Sequence, residues 1–130
     1  MKTLKYFIAL PFLTAPHITV ANDDVSAALA NICSIVIADD KGELRKKMKI
    51  VNSNFRLKLR DFYSGVSCNG NSLIRTAVLN DAVEAGSLLV KKMPKKTLAA
   101  PEQDGKTLKD WIAEQGKSSS PIAQVLLDRI

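Results

Sequence analysis

Residues 68–93 read CNGNSLIRTAVLNDAVEAGSLLVKKM, and this stretch decides the fold. Its Asn-Gly pair readily adopts positive φ, so it predicts a turn. Asn71 or Ser72 then caps a helix over 73–79, because both side chains accept hydrogen bonds from free backbone N–H groups. An Asn-Asp turn separates this helix from a second one over 82–93. The stretch therefore predicts a helical hairpin.

Helices are also predicted on both sides of this hairpin. Apolar residues recur at helical spacing in four further segments, which are 24–38, 43–51, 107–116 and 121–130. In the first segment, Ile35 and Ile37 are expected to widen the buried face. The last two segments form a C-terminal helix pair within 104–130, and a polar connection over 94–105 precedes them. The fold is therefore predicted to be all-α, a small single domain of short helices.

Residues 55–63 fit two periodicities. Phe55, Leu57 and Leu59 alternate with basic residues, which is strand spacing, whereas Phe55, Leu59 and Phe62 share helical spacing. The segment contains no Val, Ile or Thr, and its Leu, Arg and Lys residues are good helix formers. Composition favours a helix, and spacing alone leaves the strand open.

The first 21 residues have the three parts of a secretory signal peptide. They are a positively charged start, an apolar run over 6–13 and small residues at positions 19 and 21. We therefore predict cleavage before Asn22, export to the periplasm and one helical domain over 22–130. The apolar run is far shorter than the ~20 residues that a membrane-spanning helix needs. No later segment is apolar enough to span, so no transmembrane segment is expected in the mature chain.

Cleavage would change the charge and the catalytic repertoire. It removes Lys2 and Lys5, so the formal charge falls from +6 to +4, and it removes His17, the single His of the chain. A mature chain without His has no Ser-His-Asp or Cys-His catalysis and no His ligand for a metal. Phosphate-loop and Gly-x-Ser-x-Gly patterns are absent from the sequence. The sequence therefore predicts a non-enzymatic protein without a metal or cofactor.

The two cysteines, Cys33 and Cys68, are predicted to form a disulfide. An exported chain with an even number of cysteines oxidises them. The bridge would close a 36-residue loop and stabilise the fold by roughly 3–4 kcal/mol. A redox-active pair normally has Cys-x-x-Cys spacing, so the sequence favours a structural bridge.

The segment Lys41–Arg60 is the most strongly charged part of the chain, and we call its basic residues the basic face. Eight basic residues stand there against a single acid, Glu43, and they are Lys41, Arg45, Lys46, Lys47, Lys49, Arg56, Lys58 and Arg60. Such a surface attracts anionic lipids, lipopolysaccharide phosphates or acidic proteins. Export argues against nucleic acid as the partner. A solvated helix face that only aids solubility is the alternative interpretation.

Two stretches of the C-terminal half resemble the ankyrin repeat. Gly70–Val78 resembles the signature G-x-T-P-L-H-x-A-A, and Asp104–Gly116 looks like a degenerate second copy, 35 residues later. An ankyrin repeat has a period of about 33 residues. Leu73 stands where the signature has Pro, and Arg75 and Asp110 stand where it has His. The resemblance implies ankyrin-like helical hairpins that stack to bury their apolar faces.

The segment 28–93 also resembles a family of short exported proteobacterial proteins of unknown function. The resemblance rests on Cys33 in an apolar helix, a middle rich in Lys, Arg and Leu, and the pattern C-N-G-x-S-L that starts at Cys68. It implies a secreted helical domain and supports the Cys33–Cys68 bridge. It implies no catalytic residue, because the family has no assigned activity.

These observations lead to two functional hypotheses. The first is an exported, non-enzymatic binding module that takes part in protein–protein interaction in the periplasm. The second is a peripheral protein that binds an anionic envelope surface, lipid or lipopolysaccharide, through the basic face.

Overall fold

The computed structural model describes residues 24–130. The chain divides into two compact units, Met1–Ala30 and Asn31–Ile130. Of the first unit the structure describes residues 24–30, and residues 24–28 are helical. The predicted signal peptide over 1–21 and its cleavage site before Asn22 lie outside the described residues.

The unit Asn31–Ile130 consists of eight α-helices joined by short connections. They are α1 (Ile32–Ile37), α2 (Lys41–Phe55), α3 (Leu59–Phe62), α4 (Leu73–Leu79), α5 (Val83–Lys92), α6 (Lys95–Ala99), α7 (Leu108–Glu114) and α8 (Pro121–Arg129). A 3₁₀-helix, Tyr63–Gly65, directly follows α3. No strand occurs within residues 24–130, which confirms the predicted all-α class. None of the helices in that range is long and apolar enough to cross a membrane.

Six of the helices form three stacked pairs, α1–α2, α4–α5 and α7–α8. The first helices of successive pairs pack together, α1 on α4 and α4 on α7, and so do the second helices, α2 on α5 and α5 on α8. Each pair thus covers the apolar side of the next pair, which is how short helices that bury one face acquire a shared core.

Each pair reverses direction through the same kind of turn. A residue with positive φ follows the first helix, and its N–H and that of the next residue bond back to the last helical turn, as in a Schellman motif. The positive-φ residues are Asp39 (φ 57°), Asp81 (φ 52°) and Gly116 (φ 71°). Asp tolerates this left-handed conformation better than most residues, so only the third turn uses glycine.

The hairpins α4–α5 and α7–α8 also begin alike. Gly70 and Gly105, which are 35 residues apart, have φ values of 85° and 84°. Ser72 and Thr107 then cap α4 and α7, because each hydroxyl accepts a hydrogen bond from the N–H three residues later. The predicted cap of α4 is therefore present, and the two stretches share local backbone geometry. The ankyrin resemblance of these hairpins stays a prediction.

Helices α5 and α8 approach each other closely at Gly86. A Cβ atom at Gly86 would lie 2.5 Å from Ile122 Cδ1 and 3.1 Å from Ala77 Cβ. Those distances are shorter than van der Waals contact, so the packing of α5 against α8 and α4 requires glycine at this position. Leu89 and Ile122 are fully buried beside it.

The boundaries of the N-terminal helices differ from the prediction. The helix expected over 24–38 is interrupted at 29–31, where Asn31 has a φ of 68°. Ile37, expected to face inward, is 45% exposed. The helix expected over 43–51 is longer, Lys41–Phe55, because Asp40 accepts a hydrogen bond from the N–H of Glu43 and caps it earlier. Its polar 52–54 stretch is exposed and continues the helix.

Two of the predicted segments, 55–63 and 94–105, contain both helical and non-helical residues. Residues 55–63 contain the end of α2, a non-helical bend at 56–58 and then α3. Arg56 has a φ of 59° and ends α2. The connection predicted over 94–105 contains one short helix, α6, which Pro94 precedes and whose Leu98 is buried.

A disulfide joins Cys33 in α1 to Cys68 in the turn before α4, as predicted. The two Cα atoms are 5.7 Å apart. The bridge fastens the first helix pair to the segment that carries the 3₁₀-helix.

Candidate functional site

A buried arginine on α4 organises the most polar part of the interior. The side chain of Arg75 is only 7% exposed and meets two carboxylates. Its Nη1 and Nη2 atoms donate to the two oxygens of Asp104 at 2.6 and 3.0 Å. Its Nε atom lies 2.7 Å from Glu102 Oε1. Both acids lie in the connection between α6 and α7, residues 100–107, which we call the acid loop.

Two hydroxyl groups complete this cluster by binding Glu102. Tyr63 Oη lies 2.6 Å from Glu102 Oε2 and 2.9 Å from Ser72 Oγ. Ser72 Oγ donates to Glu102 Oε1 at 2.9 Å and accepts from the N–H of Arg75. Because a phenol has one proton, Tyr63 donates it to the carboxylate. Glu102 is thus held by groups from the 3₁₀-helix and from the start of α4.

The charges of the cluster shift the acidities of its members. Burial, together with the neighbouring Glu102 carboxylate, raises the pKa of Tyr63 well above its usual value, so the phenol remains a hydrogen-bond donor. The hydrogen bonds from Arg75 hold the pKa of Asp104 well below its usual range. The same contacts raise the pKa of Arg75. Asp104 and Arg75 therefore stay ionised at neutral pH.

The guanidinium of Arg75 also lies over an aromatic ring. Its Cζ atom is 5.0 Å from the centre of the Trp111 ring, within the range of a cation–π interaction. Trp111 is buried in α7, so the arginine on one hairpin contacts the aromatic anchor of the next. Arg75 therefore links α4, the acid loop and α7.

A cleft of about 590 Å³ opens beside the cluster. One wall is formed by the segment from the 3₁₀-helix to the start of α4, and the other by α6 and the acid loop. Apolar atoms predominate in its lining, and Val66, Met93 and Leu98 contribute some of them. Such a mixture of an apolar surface with a few convergent polar groups is typical of a binding site.

The hydroxyl of Ser72 is engaged within the cluster. Ser72 donates to a carboxylate that Arg75 and Tyr63 already engage, so no free base is positioned to activate its hydroxyl. Within residues 24–130 no group of three or more His, Cys, Asp or Glu side chains is placed to hold a metal ion. The donors of the cluster are fixed by burial and by neighbouring groups.

The structure spreads the basic face over three elements. Lys41, Arg45 and Lys49 recur every four residues and share one edge of α2. The other members lie elsewhere on α2 (Lys46, Lys47), in the bend after it (Arg56, Lys58) and on α3 (Arg60). Lys41 pairs with Glu84 at 3.6 Å and Lys46 with Glu43 at 3.3 Å. Among the described residues, the other six have no carboxylate within ion-pair distance.

Sequence reasoning did not identify the Arg75 cluster. In the sequence, Arg75 stands out only as a departure from the ankyrin signature. The usable signal is its position inside the apolar run LIRTAV, because a charge on the buried side of a helix requires partners. Those partners, Glu102 and Asp104, lie in a loop about thirty residues away, and no local pattern marks them.

Comparison with known proteins supports a relationship over the first six helices. The family model described as "Protein of unknown function (DUF3718)" matches residues 32–100, more than half of the chain. The predicted resemblance covered 28–93, so a family of unknown function was correctly expected there. Neither the curated proteins nor the solved structures give a significant match. The chain, with its α1–α6 region bridged by Cys33–Cys68, belongs to the DUF3718 family of proteins of unknown function.

Proposed function

We propose that this protein is an exported, non-enzymatic binding module that recognises a partner protein in the periplasm through the cleft beside Arg75. The observation that carries the proposal is the cleft itself, an apolar surface next to rigidly held polar groups. Protein partners are commonly recognised by such pockets, in which one or two side chains of the partner are anchored. Export is proposed on the N-terminal pattern of the sequence, and the disulfide supports it because such bridges persist in oxidising compartments.

A cleft wall that is already held in place supports a binding role for the cleft. The wall from the 3₁₀-helix to the start of α4 is fastened by the disulfide and by the packing of α4 on α7. A surface that is already ordered loses little conformational entropy when a partner binds.

Site-specific photocrosslinking in the periplasm tests this proposal. A photoreactive amino acid at Thr97, which is exposed and lines the cleft, should capture a discrete partner. The same amino acid at Asp128, exposed on α8 and away from the cleft, is the matched control and should capture none. Absence of a Thr97-specific product across growth conditions would reject the proposal.

A second candidate function is the binding of an anionic envelope surface through the basic face. The observation that favours it is the set of exposed cations on α2 and the following bend that have no ion-pair partner among the described residues. Unneutralised cations at a surface attract anionic headgroups, each contributing about 1 kcal/mol.

Vesicle co-sedimentation at low and high salt distinguishes this candidate. The native chain should sediment with phosphatidylglycerol vesicles at low salt and be released at high salt, because salt screens exposed charges. The double variant Arg45→Glu/Lys49→Glu should lose most of this binding. Lys91→Glu/Lys92→Glu, the same change of charge on α5, serves as the control. Binding that both variants reduce equally, or that salt leaves unchanged, would refute a specific role for the basic face.

A further inference from the structure

The donors around Glu102 have the composition of a carboxylate-binding site. A guanidinium, a phenol and a serine hydroxyl converge on one carboxylate, and the guanidinium takes a second, from Asp104, in a two-point contact. Bidentate pairing with arginine is the most specific way in which proteins recognise a carboxylate. In this structure, both carboxylates come from the chain's own acid loop.

We propose that Arg75, Tyr63 and Ser72 form a receptor for an acidic side chain of the partner protein, and that the acid loop occupies this receptor in the free protein. The partner's carboxylate and the acid loop would then compete for the same donors. This inference rests on the proposed function, since it names the chemical group that the partner places in the cleft.

The hydrogen-bond donors are more deeply buried in the fold than the acid loop that carries Glu102 and Asp104. Arg75 is anchored in α4 between buried residues and lies over Trp111, and Tyr63 is buried. The acid loop, in contrast, has no buried residue between Leu98 and Leu108. It is tied back by exposed polar contacts, which are a hydrogen bond from Gln103 Nε2 to the carbonyl oxygen of Ser64 and an ion pair of Lys106 with Glu114 on α7, both at 2.8 Å. Arg75 Nη2 also donates to the carbonyl oxygen of Lys106 at 3.2 Å. Release of the loop would therefore expose the donors without removing an apolar side chain from the core.

Glu102 leaves one donor of the receptor, the Nε–H of Arg75, without an aligned acceptor. Arg75 Nε lies 2.7 Å from Glu102 Oε1, yet its hydrogen is not directed at any acceptor among the described residues. A buried N–H without an aligned acceptor costs free energy. A carboxylate on a separate chain is free to tilt into line with this N–H, so it has an advantage that the loop's own carboxylate lacks.

The apolar lining of the cleft adds to the selectivity for the partner segment. Apart from this alignment, exchange of one carboxylate for another changes the free energy of binding little, so the apolar contacts of the incoming segment decide the balance. Val66, Met93 and Leu98 line the cleft next to the donors and offer such contacts. The expected occupant is therefore a partner segment in which an Asp or Glu is adjacent to an apolar side chain.

Neutralisation of the acid loop tests the competition directly. The variant Glu102→Gln/Asp104→Asn keeps the shape of both side chains and removes their charges. The probe is a blocked peptide with the sequence of residues 101–107, PEQDGKT, and the control peptide has Gln and Asn in place of its two acids. Trp111 reports binding, because it is the single Trp of the chain and lies under the Arg75 guanidinium.

The variant should bind the acidic peptide roughly tenfold more tightly than the native chain does, because its loop no longer supplies competing charges. The Trp111 signal should saturate with the acidic peptide and not change with the control peptide. Adding Tyr63→Phe to the variant should weaken binding several-fold, since one donor is lost. If the double variant is too unstable to isolate, Asp104→Asn alone, which retains Glu102 as a counter-charge, is titrated in the same way.

Equal affinity of native and variant chains for the two peptides would overturn the inference. The two proposals fail separately. If the variant with the photoreactive amino acid at Thr97 still captures the partner when the acidic peptide is added before irradiation, the binding module stands and only the carboxylate receptor is rejected. Loss of that capture with the acidic peptide, and not with the control peptide, supports both.

Discussion

At the scale of single residues, Arg75 shows how a buried charge determines its surroundings. An arginine that is almost fully buried is tolerated only where carboxylates neutralise it and fill its donor positions. Glu102 and Asp104 meet that requirement, and Trp111 covers the guanidinium plane. Removal of the acids leaves a buried cation without full compensation, so these residues act as a unit.

The ion pair of Arg75 and Asp104 should make stability depend on pH in the acid range. Because Arg75 lowers the pKa of Asp104 in the folded state, the pair contributes its full stability above the unfolded value, 3.8, and loses it as pH falls towards the folded value. The difference in free energy of unfolding between the native chain and Asp104→Asn should therefore be constant near neutrality and shrink below about pH 4. Urea titrations at a series of pH values measure it. A difference that grows on acidification would contradict the assignment.

Any side chain at position 86 should lower the free energy of unfolding. Gly86→Ala places a methyl group 2.5 Å from Ile122 Cδ1, and the resulting displacement of this fully buried side chain should cost about 1–3 kcal/mol. Chemical denaturation gives the value. Gly65→Ala is the control, because a Cβ atom there meets nothing within 4 Å and its backbone needs no positive φ. Similar losses for both variants would show that the contact with Ile122 is not the cause.

At the scale of helices, the turns connect neighbouring pairs as well as reversing the chain. Asp39, in the α1–α2 turn, accepts a hydrogen bond at 2.7 Å from the N–H of Ala85 in the first turn of α5. Lys117, in the α7–α8 connection, pairs with Asp81 in the α4–α5 turn at 3.2 Å. Each turn therefore contributes to the order of the next hairpin.

Asp39→Ala should destabilise the protein by about 1–2 kcal/mol, because α5 loses a capping acceptor and alanine strains the positive φ of the turn. Asp39→Asn keeps an acceptor oxygen and tolerates that φ, so it should remain within a few tenths of a kcal/mol of the native chain. Hydrogen exchange of the Ala85 amide should rise in the first variant only. Unchanged protection in both would show that Asp39 does not cap α5.

Helix boundaries were the least predictable feature at this scale. The cap of α4, Ser72, has a local signature and was found from the sequence. The end of α2 was placed too early, because the polar residues 52–54 resemble a turn although the helix simply presents them to solvent. Local composition does not distinguish these two cases.

At the scale of the whole molecule, the disulfide should contribute a large part of the stability. The double variant Cys33→Ser/Cys68→Ser should lose roughly 3–4 kcal/mol, because the bridge closes a 36-residue loop in the unfolded chain. Thermal unfolding with and without reductant measures this loss. A variant as stable as the native chain would contradict it.

The intact mass of the secreted protein, about 2 Da below that of the reduced form, tests oxidation and the predicted cleavage before Asn22 together.

The overall architecture was predictable because it depends on repeated local signals. Helical spacing, polar caps and paired cysteines indicated an all-α domain with one bridge, and the structure confirms that class. The stacking of three pairs was only partly foreseen, since α1–α2 has no counterpart of the 70–78 signature. The Arg75 cluster depends on how a loop folds back onto α4, and such long-range placement leaves no periodic trace in a sequence.

The family match ends at residue 100, whereas the counter-charges of Arg75 lie at positions 102 and 104. This offset carries an evolutionary consequence: the arginine and the two acids must be inherited together, although they straddle the edge of the shared region. Relatives that diverge after position 100 should either keep acids at the equivalent of 102 or 104, or replace Arg75 by an apolar residue of similar size. An alignment of family members in which arginine and acids vary independently would show that other groups neutralise this buried charge.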